Sequence, residues 1–456
     1  MRRLGSVLAL ALAAVAGAVA LSTSSSLASS GLSWSAPAAL PGCGSEPHVV
    51  FPYSYPNARS GEGGIIWLGG CGSNTLELAP LGGDDEPSLP RQLTRAGAAA
   101  VPLSGPLATL GTTRGQLVAV AAGDGQAMLG EGFAARGIDT LRSLGGSDSL
   151  VATQIGFIGD DDVATVSSTA DGYAIELRAQ RHFQHRFGHA LTLDVGRVAP
   201  TALSIGMDFR ADRLVVWDQA GELYAQYVTN DGQVSPRQAV GPAGYAPQIS
   251  TVLSDDDRAF VLWTDEPAPG SAGTARVLLA HSAVGPRFHG TETLAAFSEP
   301  PTLRLSAGAV AAERLSSEGV ALLWPAMSAS GDLVVDASGA TLHGIVPPSL
   351  IALPGQDVRL GAVATGPDNE IVALVEVAPR TSSGFDTQRQ ALYAIRSNVV
   401  HDPGGLGFGT LTQLTAPGPN SDPSVAVDPG SDTAVAAWQT TLFGTRSIEW
   451  SVGSGT

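Results

Sequence analysis

Three histidines, His182, His185 and His189, form the densest group of metal-capable side chains in the chain, spaced H-x2-H-x3-H with Arg181 and Arg186 between them. Three imidazoles so spaced could hold a transition metal. Two of them flank Phe187 in a turn, and an exposed hairpin is the simpler account. The acidic runs Asp160-Asp161-Asp162, Asp255-Asp256-Asp257 and Asp84-Asp85-Glu86 invite calcium. Calcium loops usually place ligands at alternate positions around a glycine bend. Consecutive acids suit solvated turns better, so calcium is raised by the sequence but, like the histidine metal, not assigned. Trp67, Trp217, Trp263, Trp324 and Trp438 could stack on carbohydrate. Their recurrence once per repeat is what packing between repeats requires, and that reading is preferred.

Other chemistries leave no trace. The sequence holds no lysine, which removes Schiff-base lysines and phosphate-loop lysines. No G-x-S-x-G elbow, H-E-x-x-H pair or dinucleotide loop occurs. Ser168–Gly172 and Thr229–Gly232 approach sialidase-type Asp boxes but with the wrong spacing. Carboxylates are plentiful, yet glycoside hydrolysis depends on a separation that sequence does not set. No catalytic residue is therefore named. Arg304 and Arg359, each near the start of an extended segment, are the candidate binding residues.

The elements that must position them repeat. Asp422–Trp438 reads as an extended run, a turn at Asp428-Pro429-Gly430, then a strand closed by tryptophan. Related strands end at Trp67, Ala121, Ser167, Trp217, Trp263, Trp324, Val375 and Trp438, a recurrence near 50 residues. These runs are continuous in Val, Ala and Leu, as in strands buried on both faces. A Pro-containing link such as Ala246-Pro247 or Asp422-Pro423 precedes each, and an alternating strand such as Gly221–Tyr227 follows. A fourth segment keeps a hydrophobe–five–hydrophobe spacing: Phe187 to Leu193, Val234 to Val240, Phe288 to Leu294 and Phe408 to Leu414.

Four short strands per unit make one blade of an all-β propeller. The expected units are 46–97, 98–148, 149–197, 198–243, 244–300, 301–355, 356–418, and 419–452 completed by 32–41, giving eight blades with seven as the fallback. The last unit lacks its fourth strand. Trp34–Leu40 has that strand's spacing and is expected to pair beside Ile448 and close the ring. Cys43 and Cys71 fall in connections that emerge on one rim, so a disulfide is expected between them.

The pattern of Pro-x-Val/Ile, acidic turn, hydrophobic strand and Trp resembles the secreted β-propeller repeat proteins of bacteria over residues 32–456. Tyr227-Val228-Thr229-Asn230 also looks like a motif of surface-layer-type propellers. The resemblance implies a fold and little else, since propellers host many unrelated functions.

Composition narrows the partners. Of 456 residues 15% are charged and the formal net charge is −17, which opposes nucleic acid and anionic membrane surfaces. Met1-Arg2-Arg3 followed by the uncharged run Leu4–Leu21 has the anatomy of a secretory signal, expected over residues 1–28, with an uncleaved anchor as the alternative. The expectation is a secreted, monomeric, non-enzymatic propeller that binds a protein or glycan. A polysaccharide hydrolase or lyase working in the central funnel is the second reading.

Overall fold

The computed structural model describes residues 32–455, apart from 53–62, 71–74, 83–84, 90, 93–102, 112–115, 124–125, 135–136, 145–149, 159, 170, 180–187, 209, 255–256, 269–270, 272, 283–286, 298–309, 316–318, 342–343, 382–383, 398–405 and 432. Every regular element among the described residues is a β-strand, and these form eight antiparallel sheets of four or five strands.

The first strand of each sheet runs, in chain order, over Gly44–Val50, Leu103–Gly111, Leu150–Ile158, Leu203–Met207, Ile249–Leu253, Ala311–Arg314, Gln356–Thr365 and Asn420–Val427. Each touches the first strand of the next sheet, and Asn420–Val427 touches both Gln356–Thr365 and Gly44–Val50. Eight strands in a closed cycle of contacts can only surround an axis. The chain is an eight-bladed β-propeller, and the seven-blade fallback falls away. Blades are numbered 1 to 8 below in that order.

The second strands carry the core. Ala434, Val435, Ala436, Ala437 and Trp438 are all fully buried, as are Val215, Val216 and Trp217 in blade 4. A strand sandwiched between neighbouring blades has no wet face, which is why these runs show no polar alternation. The five tryptophans are all buried, so the stacking-platform reading gives way to packing. Trp263 of blade 5 packs with Leu223 and Val240 of blade 4, and its Nε1–H donates to the Pro242 carbonyl at 2.9 Å. Trp67 of blade 1 packs on Val435 and Ile448 of blade 8. The fit is close: a Cβ on Gly44 would stand 2.3 Å from Trp67 Cδ1.

The turns between first and second strands share one geometry. In blade 4 Asp208 N–H donates to Asp212 O and Ala211 N–H to Asp208 O, both at 3.1 Å. The same pair of bonds recurs at Ser254–Arg258 and Gly366–Glu370, where Asp257 and Asn369 take positive φ as Ala211 does. Asp257 thus sits in a turn as the sequence implied. The run at 160–162 does not: it opens the second strand of blade 3, Asp160–Thr169, with Asp160 already paired to Ile158. Asp85 is buried rather than solvated, since Asp85 Oδ2 accepts from the Ser431 hydroxyl of blade 8.

Residues Leu32–Trp34 and Ala38–Ala39 pair antiparallel with Thr445–Gly455 in the eighth sheet, and Leu40 N–H donates to Ile448 O at 2.8 Å. Between the two short pairings Ser35 takes over: its N–H donates to Val452 O, and its Oγ accepts from Val452 N–H at 3.0 Å. On the first blade, Gly70 N–H donates to the Cys43 carbonyl at 3.1 Å, which sets the residue before Cys71 beside Cys43. No described cysteine is free; Cys71 lies outside the described residues.

Candidate functional site

A cleft of about 730 Å³ opens between blades 7 and 8, lined by Arg359, Glu376, Gln390, Asn420, Asp422 and Gly444 among others. Two irregularities in the strands build it. In blade 7 the pairing register shifts between Leu360 and Ala362, leaving Gly361 unpaired; in blade 8 it shifts between Ser421 and Ser424, freeing Asp422-Pro423. Bulges bend a strand and release backbone from the ladder, which is how a packed sheet edge acquires a concave surface. Gly361 is required here, since a Cβ would lie 2.5 Å from Pro423 Cγ. Asp422 adopts φ 50° immediately before a proline, as Glu46 (φ 52°) and Ala246 (φ 47°) do before theirs. The Pro-containing link is therefore a recurring device that turns the chain onto the axis.

Arg359 and Glu376 face each other across the first and second strands of blade 7. The Arg359 guanidinium lies 4.3 Å from the Phe385 ring centroid, a cation–π contact that holds the fork in place. Burial lowers the Arg359 pKa, opposed by the charges of Glu376 and of Glu266 two blades away. Burial likewise raises the Glu376 pKa, against the pull of Arg359 and a Gln390 hydrogen bond, with Asp422 adding repulsion. Gln390 is buried; its Nε2–H donates to Glu376 Oε1 at 3.3 Å and also to the Asn420 carbonyl. Reversing the amide would set Oε1 against two acceptors, so the orientation is determined. That leaves Gln390 Oε1 buried with no partner.

Asn420 is locked by donating Nδ2 to Gln390 O and Thr415 Oγ1, both at 3.1 Å, and by accepting from Thr440 Oγ1. Ser421 Oγ accepts from Gln439 Nε2 and donates to Asp422 Oδ2 at 3.0 Å. The lining is thus a rigid polar fork with a carboxylate acceptor, Asp422, and a charged donor, Arg359.

Phe443 immediately precedes Gly444 of the lining. It occupies the two-residue turn between Leu442 and Thr445, with φ 52° followed by Gly444 at φ 81°, and its side chain is 106% exposed. Two positive φ values make a type I′ hairpin, where Asn-Gly is the natural pair. A bulky residue there is strained, and this one gains no burial in return.

Of the candidates named from sequence, Arg359 lies in the cleft. Arg304, His182 and His185 lie outside the described residues; His189 is described and exposed. Sequence reasoning missed Glu376, Gln390, Asn420 and Phe443. Only Phe443 left a signal, a Phe-Gly pair at a hairpin tip.

No family model matches the sequence, and no curated protein is similar to it at a significant level. Among solved structures, the chain is similar to the BP39L lectin of Burkholderia pseudomallei, with 16% identity and TM-score 0.48 over 82% of this chain and 100% of that one. It is also similar to a fungal six-bladed fucose-recognising propeller, the Aleuria aurantia lectin, with 12% identity and TM-score 0.38 over 68% of this chain and 98% of that one. A third is oligopeptidase B of Leishmania major, with 9% identity and TM-score 0.43 over 87% of this chain; the alignment spans 54% of that peptidase. At such identities none of them assigns an activity.

Proposed function

We propose that this protein is an exported binding propeller whose cleft between blades 7 and 8 takes a polyhydroxylated ligand, a glycan, without turning it over. One observation carries the reading: a cleft whose lining holds a charged donor, Arg359, and a carboxylate acceptor, Asp422, with the exposed aromatic Phe443 next in sequence to the lining residue Gly444. Sugar hydroxyls donate and accept at once, matching Asp422 and Arg359, and the apolar face of a sugar ring suits an aromatic edge. The test is a glycan array with the exported form of the protein and with Arg359→Ala. Retention of a glycan by the wild type and loss in the variant supports the cleft; binding unaffected by R359A, or none, overturns it.

A second reading has its own support. A buried Glu376 with a raised pKa near Asp422 is the kind of carboxylate pair that acts in glycoside cleavage. Release of reducing ends from bound polysaccharide, abolished in Glu376→Gln, would favour it over a lectin-like role.

We infer further that residues 1–28 direct export, that the pairing of residues 32–39 with Thr445–Gly455 clasps the ring, and that Cys43 is bonded to Cys71. Closing a loop of that length contributes about 3–4 kcal/mol on the chain-entropy model. Intact-mass analysis of the exported protein reads both the new N-terminus and the two-hydrogen loss of a disulfide.

A further inference from the structure

The turns on the rim of blades 4 and 5 gather Asp208, Asp212 and Asp257, with one carboxylate oxygen of each lying within 4.8 Å of the others. Two arise in the Asp208–Asp212 turn of blade 4 and the third in the Ser254–Arg258 turn of blade 5. Acidic clusters are common on an acidic protein, and this one has a bland explanation for most of its atoms. Asp208 Oδ1 accepts from the backbone N–H groups of Arg210 at 2.9 Å and Asp212 at 2.8 Å, capping its own turn. Asp212 Oδ1 accepts from Asn230 N–H, and its Oδ2 accepts from the Tyr227 hydroxyl, both at 2.7 Å. The same hydroxyl lies 3.3 Å from Asp257 Oδ1, and Arg210 Nη1 lies 3.2 Å from Asp257 Oδ2.

One atom is left over. Asp208 is completely buried, and its Oδ2 has no hydrogen-bond partner. Blade 8 provides an internal control. Asp428 holds the equivalent turn position there, with Oδ1 accepting from Gly430 N–H at 2.9 Å and Oδ2 accepting from the Ser431 hydroxyl at 2.7 Å. In blade 4 the place of Ser431 is taken by Ala211, so the matching oxygen is bare, on a residue whose carboxylate lies within 4.8 Å of those of Asp212 and Asp257. An unpaired buried carboxylate oxygen is expensive, and a cation is the partner that three carboxylates favour.

We propose that Asp208, Asp212 and Asp257 bind a calcium ion that ties blade 4 to blade 5. The donors are all carboxylate oxygens, a set that suits a hard cation, and calcium tolerates irregular placement where Mg²⁺ demands a near-ideal octahedron. The turns supply geometry that the consecutive acids of Asp255–Asp257 lack, because one residue from each of three positions is presented to a common point. Arg210 is the competitor for the same charge, and it is mostly exposed, where an ion pair with Asp257 contributes little.

The experiment is a calorimetric titration of EDTA-treated, dialysed full-length protein with CaCl₂, repeated with MgCl₂. The wild type should show one saturable calcium site with weaker magnesium binding. Asp212→Asn and Asp257→Asn should each weaken calcium by at least about tenfold, in the range set by loss of one charged ligand. Their folding is checked by circular dichroism and by the thermal midpoint in EDTA. Arg210→Ala, which removes an exposed competitor and no ligand, should tighten calcium about threefold from the lost charge alone. No saturation in the wild type up to about 5 mM, beyond the weak end of extracellular calcium sites, overturns the assignment. So does wild-type affinity in both aspartate variants, or, should those fail to fold, an unchanged affinity in R210A.

Discussion

Replacing Phe443 by asparagine should make the protein more stable and a poorer binder at the same time. Phe443 occupies the left-handed region at φ 52° and leads Gly444 through a two-residue hairpin. A non-glycine residue there costs about 1–2 kcal/mol, and asparagine is the side chain that offsets most of it. Nothing is lost in exchange, because the phenyl ring is fully exposed. The net gain should be about 1 kcal/mol, read as a rise in the urea midpoint with an unchanged slope. If Phe443 stacks on a ligand ring, its removal should weaken binding by about 2- to 10-fold, the equivalent of an aromatic contact of about 0.5–1.5 kcal/mol. The glycan retained on the array supplies the ligand for that measurement. A fall in stability would mean that Phe443 packs on something and is not strained. Unchanged affinity with raised stability would remove Phe443 from the site while leaving the rest of the cleft standing.

Two further outcomes follow from the core. Trp263→Phe should cost about 1 kcal/mol more than Trp217→Phe, because Trp263 Nε1–H is bonded to the Pro242 carbonyl of the preceding blade while Trp217 Nε1 is buried without a partner. Equal losses in paired denaturation curves would show that the inter-blade hydrogen bond contributes nothing. Burial raises the Glu313 carboxyl to about 7, so the folded state holds a proton that the unfolded chain releases. Its contribution is present in full below the usual carboxylate range and is lost as pH climbs through about 7, so Glu313→Gln should flatten that part of the stability profile. His48, pushed down to about 4 by burial, acts oppositely: folding gains as pH rises from about 4 to 6.5. The Glu313 effect must therefore be read as the difference between variant and parent. An unchanged difference across that range would refute it.

The architecture was legible because it is written many times. A strand flanked by blades on both sides must be apolar throughout, and eight such runs at similar intervals betray themselves without any alignment. The segment Trp34–Leu40 could be matched to Ile448 for the same reason: it carries the outer-strand spacing and had no other unit to join. Sites follow no such repetition. The cleft exists because Gly361 and Asp422-Pro423 drop out of register in neighbouring blades, and a register slip leaves no periodic mark. Glu376 and Gln390 look like ordinary strand residues until the third dimension sets them beside Arg359 and leaves one amide oxygen bare. The acidic runs mislead in the same way. The sequence shows three neighbours at Asp255–Asp257, while folding brings Asp257 to Asp208 and Asp212, 45 or more positions earlier. Local pattern determines which segments become strands and how many blades they build, because burial acts on each strand separately. Which polar atoms meet, and which are left unsatisfied, is decided only when blades pack, because that depends on distances between residues far apart in the chain.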